Sequence, residues 1–118
     1  MNREEFCQKI LKIDDKIRFV SIYDGGNFFH QMKEGKQSYL TPDETENSMV
    51  QCQYRWAGRK KMAPKIGAPI FAMAKYGKVF RFTIPVGKAG LILVSTELNV
   101  AIEDIVEKIC DVRDKFYS

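Results

Sequence analysis

Apolar positions along the chain switch between two periods. Phe6, Ile10, Ile13 and Ile17 recur at spacings of four, three and four, and Cys7 and Leu11 widen the stripe, which predicts an amphipathic helix from Arg3 to about Asp15. From Ile17 the period becomes two. Phe19, Ser21 and Tyr23 alternate with Val20 and Ile22, and Asp24-Gly25-Gly26-Asn27 then supplies a tight hairpin turn before a returning strand over Phe28 to Lys33. Glu34 to Leu40 is polar and glycine-containing, as a connecting loop is.

The longest stretch that reads as helix is Thr41 to Ile66 in mid-chain. Thr41 and Glu44 have capping-box spacing, and Pro42 falls at the first helical position, where a missing N–H costs nothing. At about 100° per residue, Met49, Cys52, Trp56 and Ala63 share one face while Val50, Tyr54 and Ala57 share another. Two apolar faces need two partners, and the chain's own sheet can be only one of them. Gly58 lies between the faces. Glycine inside a helix costs roughly 1 kcal/mol against alanine, so either the position is weak or another backbone approaches there. The plainer alternative is a helix buried unevenly in one core, with Gly58 incidental. The helix should stop near Ala63, because Pro64 pushes the residue before it out of helical geometry and Gly67 and Pro69 follow closely.

Three further strands are predicted. Ile70 to Tyr76 leads through Gly77 into Lys78 to Pro85, where Val79, Arg81 and Thr83 alternate with Phe80, Phe82 and Ile84, and Pro85 belongs at a strand end. After the Val86-to-Gly90 turn, Leu91 to Thr96 is apolar on both sides, as in a central strand covered on both faces. Asn99 is placed to cap a last helix with the stripe Ile102, Ile105, Val106, Ile109, Val112 and Phe116. The fold class is therefore α+β: a five-stranded antiparallel sheet in the order helix, strand, strand, helix, strand, strand, strand, helix. The central helix covers one face and the terminal helices the other. With 118 residues, the expectation is a single domain over 1–118.

Composition adds one anomaly. Between Asn47 and Thr96 there is no acidic residue, yet nine basic ones occur, and all fifteen acids lie in the two ends. Such asymmetry points to an acidic partner, whether nucleic acid, an anionic membrane surface or a protein face; lysines guarding strand edges are the bland alternative. The longest aliphatic run, Leu91 to Val94, is far below the roughly 20 residues of a membrane span. Arg3, Glu4 and Glu5 stand where a secretory signal would be apolar, so a cytoplasmic location is expected. Cys7, Cys52 and Cys110 are odd in number and widely spaced, with only His30 beside them, which fits neither a disulfide framework nor a zinc site.

Catalytic chemistry finds no constellation. Asp24 to Asn27 lacks the lysine and following helix of a phosphate-binding loop, and the turn ending at Gly90 offers only Lys88. His30 is the single histidine, Asp14 and Asp15 are adjacent and point apart, and no metal or cofactor site is predicted. Nucleic-acid binding has more to stand on. Arg55, Arg59, Lys60 and Lys61 interleave with Tyr54 and Trp56, while Tyr76, Phe80 and Phe82 neighbour Lys75, Lys78 and Arg81. Basic residues position phosphates and exposed aromatic rings stack on bases. The aromatics fit core positions equally well.

The order of elements, the Asp-Gly hairpin after the first strand, and the run from Ile70 through Val94 into a closing amphipathic helix resemble the roadblock/longin superfamily. The likeness is to its small roadblock-type domains, related to dynein light chain roadblock and to prokaryotic partners of small GTPases. It covers nearly the whole chain and rests on pattern, with no signature motif. The resemblance implies a homodimer or heterodimer whose central helices lie together and whose third strands pair edge to edge, here through Val50, Tyr54, Ala57, Gly58, Ile70, Ala72 and Ala74. It also implies a non-enzymatic scaffold or regulator of a protein partner such as a small GTPase, to which Arg55, Arg59, Lys60, Lys61 and Lys65 would offer a basic surface that maps onto no known family surface. The alternatives are a nucleic-acid or anionic-surface binding module using the same basic third, and a small-molecule sensor, since related profilin-like sheets hold ligands between layers. For the sensor the sequence supplies no polar cluster.

Overall fold

The computed structural model describes residues 2–117. Four helices and five strands follow in the order α1 (Arg3–Leu11), β1 (Ile17–Asp24), β2 (Asn27–Met32), α2 (Pro42–Lys60), α3 (Ala63–Ile66), β3 (Ala72–Lys75), β4 (Phe80–Val86), β5 (Gly90–Thr96) and α4 (Ile102–Phe116). The strands form one sheet in the spatial order β2-β1-β5-β4-β3, antiparallel throughout. The predicted α+β class and five-stranded antiparallel sheet are therefore the observed ones.

The apolar central strand explains the layering. Ile92 and Val94 of β5 join Val20, Ile22, Phe82 and Ile84 in a core closed by Phe6 and Ile10 of α1 and by Ile105 and Ile109 of α4. Leu91 and Leu93 point the other way, onto Met49, Cys52 and Trp56 of α2. Strand alternation thus divides one apolar run between two cores, with α2 alone on its face.

Local chemistry sets the boundaries, in places against the sequence-based reading. α1 stops at Leu11, short of Asp15. The Asp14 carbonyl accepts from the Ile17 N–H and its carboxylate from the Lys16 N–H, making a turn that carries Ile17 into β1. Gly25 and Gly26, both at positive φ, form the two-residue turn joining β1 to β2. α2 carries the full capping box: the Glu44 N–H donates to Thr41 Oγ1 at 3.1 Å and the Thr41 N–H to Glu44 Oε1 at 2.9 Å. It ends at Lys60, earlier than expected. Pro64 has no N–H for the Lys60 carbonyl and its ring crowds that position, so the chain restarts as the single turn α3. Asn99 does not cap α4; Ala101 holds that place without a side-chain bond, while the Asn99 carbonyl accepts from Lys16 Nζ.

Candidate functional site

α2 meets the sheet through Thr45, Met49, Cys52 and Trp56, all buried. Its opposite face has no cover among the described residues. Val50 is exposed, Tyr54 is 73% exposed, and Ala57 and Gly58 are open to solvent, with nothing within 4 Å of a Cβ placed at Gly58. Met62, Ile66, Ile70 and Met73 are also exposed, Met73 on the opposite face of β3 from Ala72.

β3 lies at the margin of the sheet. It pairs with β4 from Ala72 opposite Thr83 to Lys75 opposite Phe80, and its other edge is unpaired among the described residues. Of the seven residues expected to form an interface, six are exposed. Ala72 differs: it turns inward, half-buried against Met49, Cys52 and Trp56. Ala74, two residues on, shares its face, so two small side chains lie beside the helix.

Between α2 and β3 runs a shallow groove of about 60 Å³, on which Arg55, Arg59 and Arg81 converge. Arg81 Nη2 donates to Ser48 Oγ at 2.6 Å and Arg55 Nη2 to Cys52 Sγ at 3.2 Å; none of the three is in an ion pair among the described residues. Lys60 points elsewhere, its Nζ 3.3 Å from the Lys88 carbonyl in the β4–β5 turn. The basic segment is thus divided between a groove and an outer flank. Trp56 is buried and cannot stack on a base, whereas Tyr54 and Tyr76 are exposed.

His30 is exposed on β2 between the rings of Phe19 and Phe28. Ser21 is its cross-strand neighbour, but the buried hydroxyl makes no hydrogen bond and so is not activated by the imidazole. Among the described residues no group of three potential metal ligands comes together, all three cysteines are free, and no helix is long and apolar enough to cross a membrane. Cys7 is fully buried, and burial pushes its thiol up to about 12.

A second feature escaped the sequence-based reading. Arg18 of β1 is almost buried, its Nη1 donating to Glu97 Oε1 at 2.8 Å and its Nη2 to the Gln37 carbonyl at 2.9 Å. Its guanidinium carbon lies 4.4 Å from the Tyr39 ring centre, and Lys78 Nζ approaches the same ring at 5.1 Å. The hydrogen bond from Arg18, followed by the attraction of Arg18 and the contacts of Lys36, holds the Glu97 carboxyl below the usual range against the opposing effect of desolvation. Around this cluster opens a cavity of about 370 Å³, between the β2–α2 loop and the β3–β4 turn. A lone arginine among the apolar residues of β1 was the only local signal for it.

No sequence-family model matches the chain, and no curated protein does. Solved structures match it well in shape at low identity. The Roadblock/LC7 domain from Streptomyces avermitilis superposes with a TM-score of 0.72 at 9% identity, covering 98% of this chain and 94% of that one. MglB from Myxococcus xanthus gives 0.72 at 14% identity, over 96% and 89% of the two chains. MglC from the same organism gives 0.59 at 11%, over 98% and 99%. In strand order, layering and length, this chain has the roadblock/longin-type fold that its sequence pattern resembles.

Proposed function

We propose that the protein is a non-enzymatic, cytoplasmic scaffold that pairs with a second copy through the outer face of α2 and the free edge of β3, and presents its basic residues to a protein partner of the small GTPase class. The observation that carries this reading is the exposed apolar face of α2, formed by Val50, Tyr54, Ala57 and Gly58, together with the unpaired edge of β3. A surface of that kind is more often an interface than a solvated face, and an exposed strand edge is a template for pairing.

The charge order along α2 favours one orientation of the pair. Asp43, Glu44 and Glu46 stand at its start, and Arg55, Arg59, Lys60 and Lys61 at its end. Two such helices side by side in antiparallel sense set each acidic turn against a basic one, while a parallel pair sets like against like. An antiparallel pair is related by a two-fold axis, the commonest symmetry of protein dimers. The same axis brings the two β3 edges together. Small side chains at Ala57 and Gly58 permit close approach of the helices there. A roadblock-fold neighbour described as MglB with tetrameric arrangement supports self-association in this fold. The GTPase partner rests on the resemblance to roadblock-type domains.

The test is Ala57→Glu and Gly58→Glu. Both positions are exposed in the protomer, so each variant should retain its circular dichroism while light scattering shows a monomer. A variant that stays dimeric overturns the packing. A second reading draws on the exposed Tyr76, which lines the groove with the three arginines, and on the exposed Tyr54 of α2: a single-stranded nucleic acid would occupy that flank. It requires log affinity to fall linearly with log salt, and absence of binding at about 50 mM salt removes it.

A further inference from the structure

Arg18, Tyr39 and Lys78 are distant in the chain but meet at the 370 Å³ cavity beneath the β2–α2 loop. We propose that this cavity binds a compact aromatic carboxylate, an apolar ring system carrying one anionic group.

Its size lies at the lower end of the range for small-molecule sites, about 300–1,000 Å³. Phe19, Tyr39, Leu40, Tyr76 and Val79 give it apolar and aromatic walls, which favour a ring over a sugar or a polyol. The roof is held in place without a ligand, because Arg18 Nη2 grips the loop at the Gln37 carbonyl and its guanidinium lies against Tyr39.

Charge selects the anionic group. No carboxylate lines the cavity. Arg18 is already neutralised by Glu97, so it serves as framework. Lys78 and Arg81 are in no ion pair among the described residues, and Arg81 donates only to the neutral Ser48 hydroxyl. A cationic ligand would be repelled and a neutral one would leave both charges unmatched. Lys78 and Arg81 both line the cavity, so a carboxylate there has an uncompensated cation to meet it. A polyphosphate would need more donors than two cations supply, and no glycine-rich loop stands at this rim. None of Val50, Tyr54, Ala57 and Gly58 lines the cavity, so the proposal is independent of the self-association surface.

The experiment is titration of the full ¹⁵N-labelled chain with 2-naphthoate and with its neutral isostere 2-naphthamide, followed by amide shifts. Saturable one-to-one binding of naphthoate is expected, with shifts centred on Tyr39, Leu40, Lys78 and Val79 and an affinity about threefold or more above that of the amide. Lys78 is exposed, so Lys78→Ala and Lys78→Glu do not threaten the fold. They should weaken naphthoate by about two- to fivefold or more and leave naphthamide unchanged. Equal affinity for the two probes, shifts centred on the outer face of α2, or naphthoate binding indifferent to both Lys78 variants would overturn the proposal.

Discussion

Tyr54→Ala separates the stability of the protomer from that of the pair. Tyr54 is 73% exposed on α2 and belongs to neither buried cluster, so its truncation should change the unfolding free energy of the isolated protomer by no more than about 0.5 kcal/mol. In a two-fold pair the substitution occurs twice in one interface. Burying a large aromatic side chain there contributes about 1.5–3 kcal/mol per copy, hence about 3–6 kcal/mol per dimer. That corresponds to a rise of about two to four powers of ten in the dissociation constant. Sedimentation equilibrium over a wide concentration range reads the dissociation constant, and thermal unfolding at the dilute end, where protomers dominate, reads the fold. A variant that associates as tightly as the unmodified chain refutes the assignment of this face. A variant that loses helix content refutes the claim that Tyr54 is free of the core.

Three other perturbations test separate parts of the structure. Gly58→Ala meets no atom within 4 Å and removes a helix-weakening glycine, so the protomer should gain about 0.5–1 kcal/mol by urea unfolding, while any loss of association reports close helix approach. Gly90→Ala should destabilise by about 3 kcal/mol in the same assay, because the added Cβ would lie 2.6 Å from the Tyr23 carbonyl oxygen and 2.8 Å from that of Val86, both backbone atoms in paired strands. Glu97→Gln should cost about 1–2 kcal/mol near neutral pH, since Arg18 is then left almost buried without its counter-charge. The folded carboxyl titrates below its ordinary 4.5, so its contribution is complete above that pH and is lost as pH falls through the folded value. The gap between variant and unmodified chain should therefore narrow as pH falls through the folded value; a gap that does not narrow between neutral pH and strong acid contradicts the ion pair.

Most of the fold was legible because its cues are local or periodic. The Asp24–Asn27 turn, the capping box at Thr41 and the two faces of α2 can be read from a few adjacent residues, and each stands where the pattern placed it. The misjudged boundaries share a cause. Ile13 and Ile17 prolong the apolar stripe of α1, but backbone and carboxylate bonds at Asp14 end the helix, and periodicity does not register those bonds. Pro64 marks a stop near Ala63, yet its conflict with the Lys60 carbonyl ends the ladder a few residues earlier. The cavity was invisible for another reason. It depends on Arg18, Gln37, Tyr39, Lys78 and Glu97 converging from four separate parts of the chain, and no local motif encodes that meeting. The bare face of α2 was legible as a surplus of apolar positions, whereas the free edge of β3 required the sheet order.

The most direct test of the self-association account is the molar mass of the unmodified chain, by light scattering behind size exclusion at about 50 mM and about 500 mM salt. The account predicts twice the 13.6 kDa of one chain at both, because apolar burial resists screening and the end-to-end charge pairs of α2 add to it only at low salt. A monomer at both salt concentrations contradicts it and leaves the outer face of α2 to a different partner.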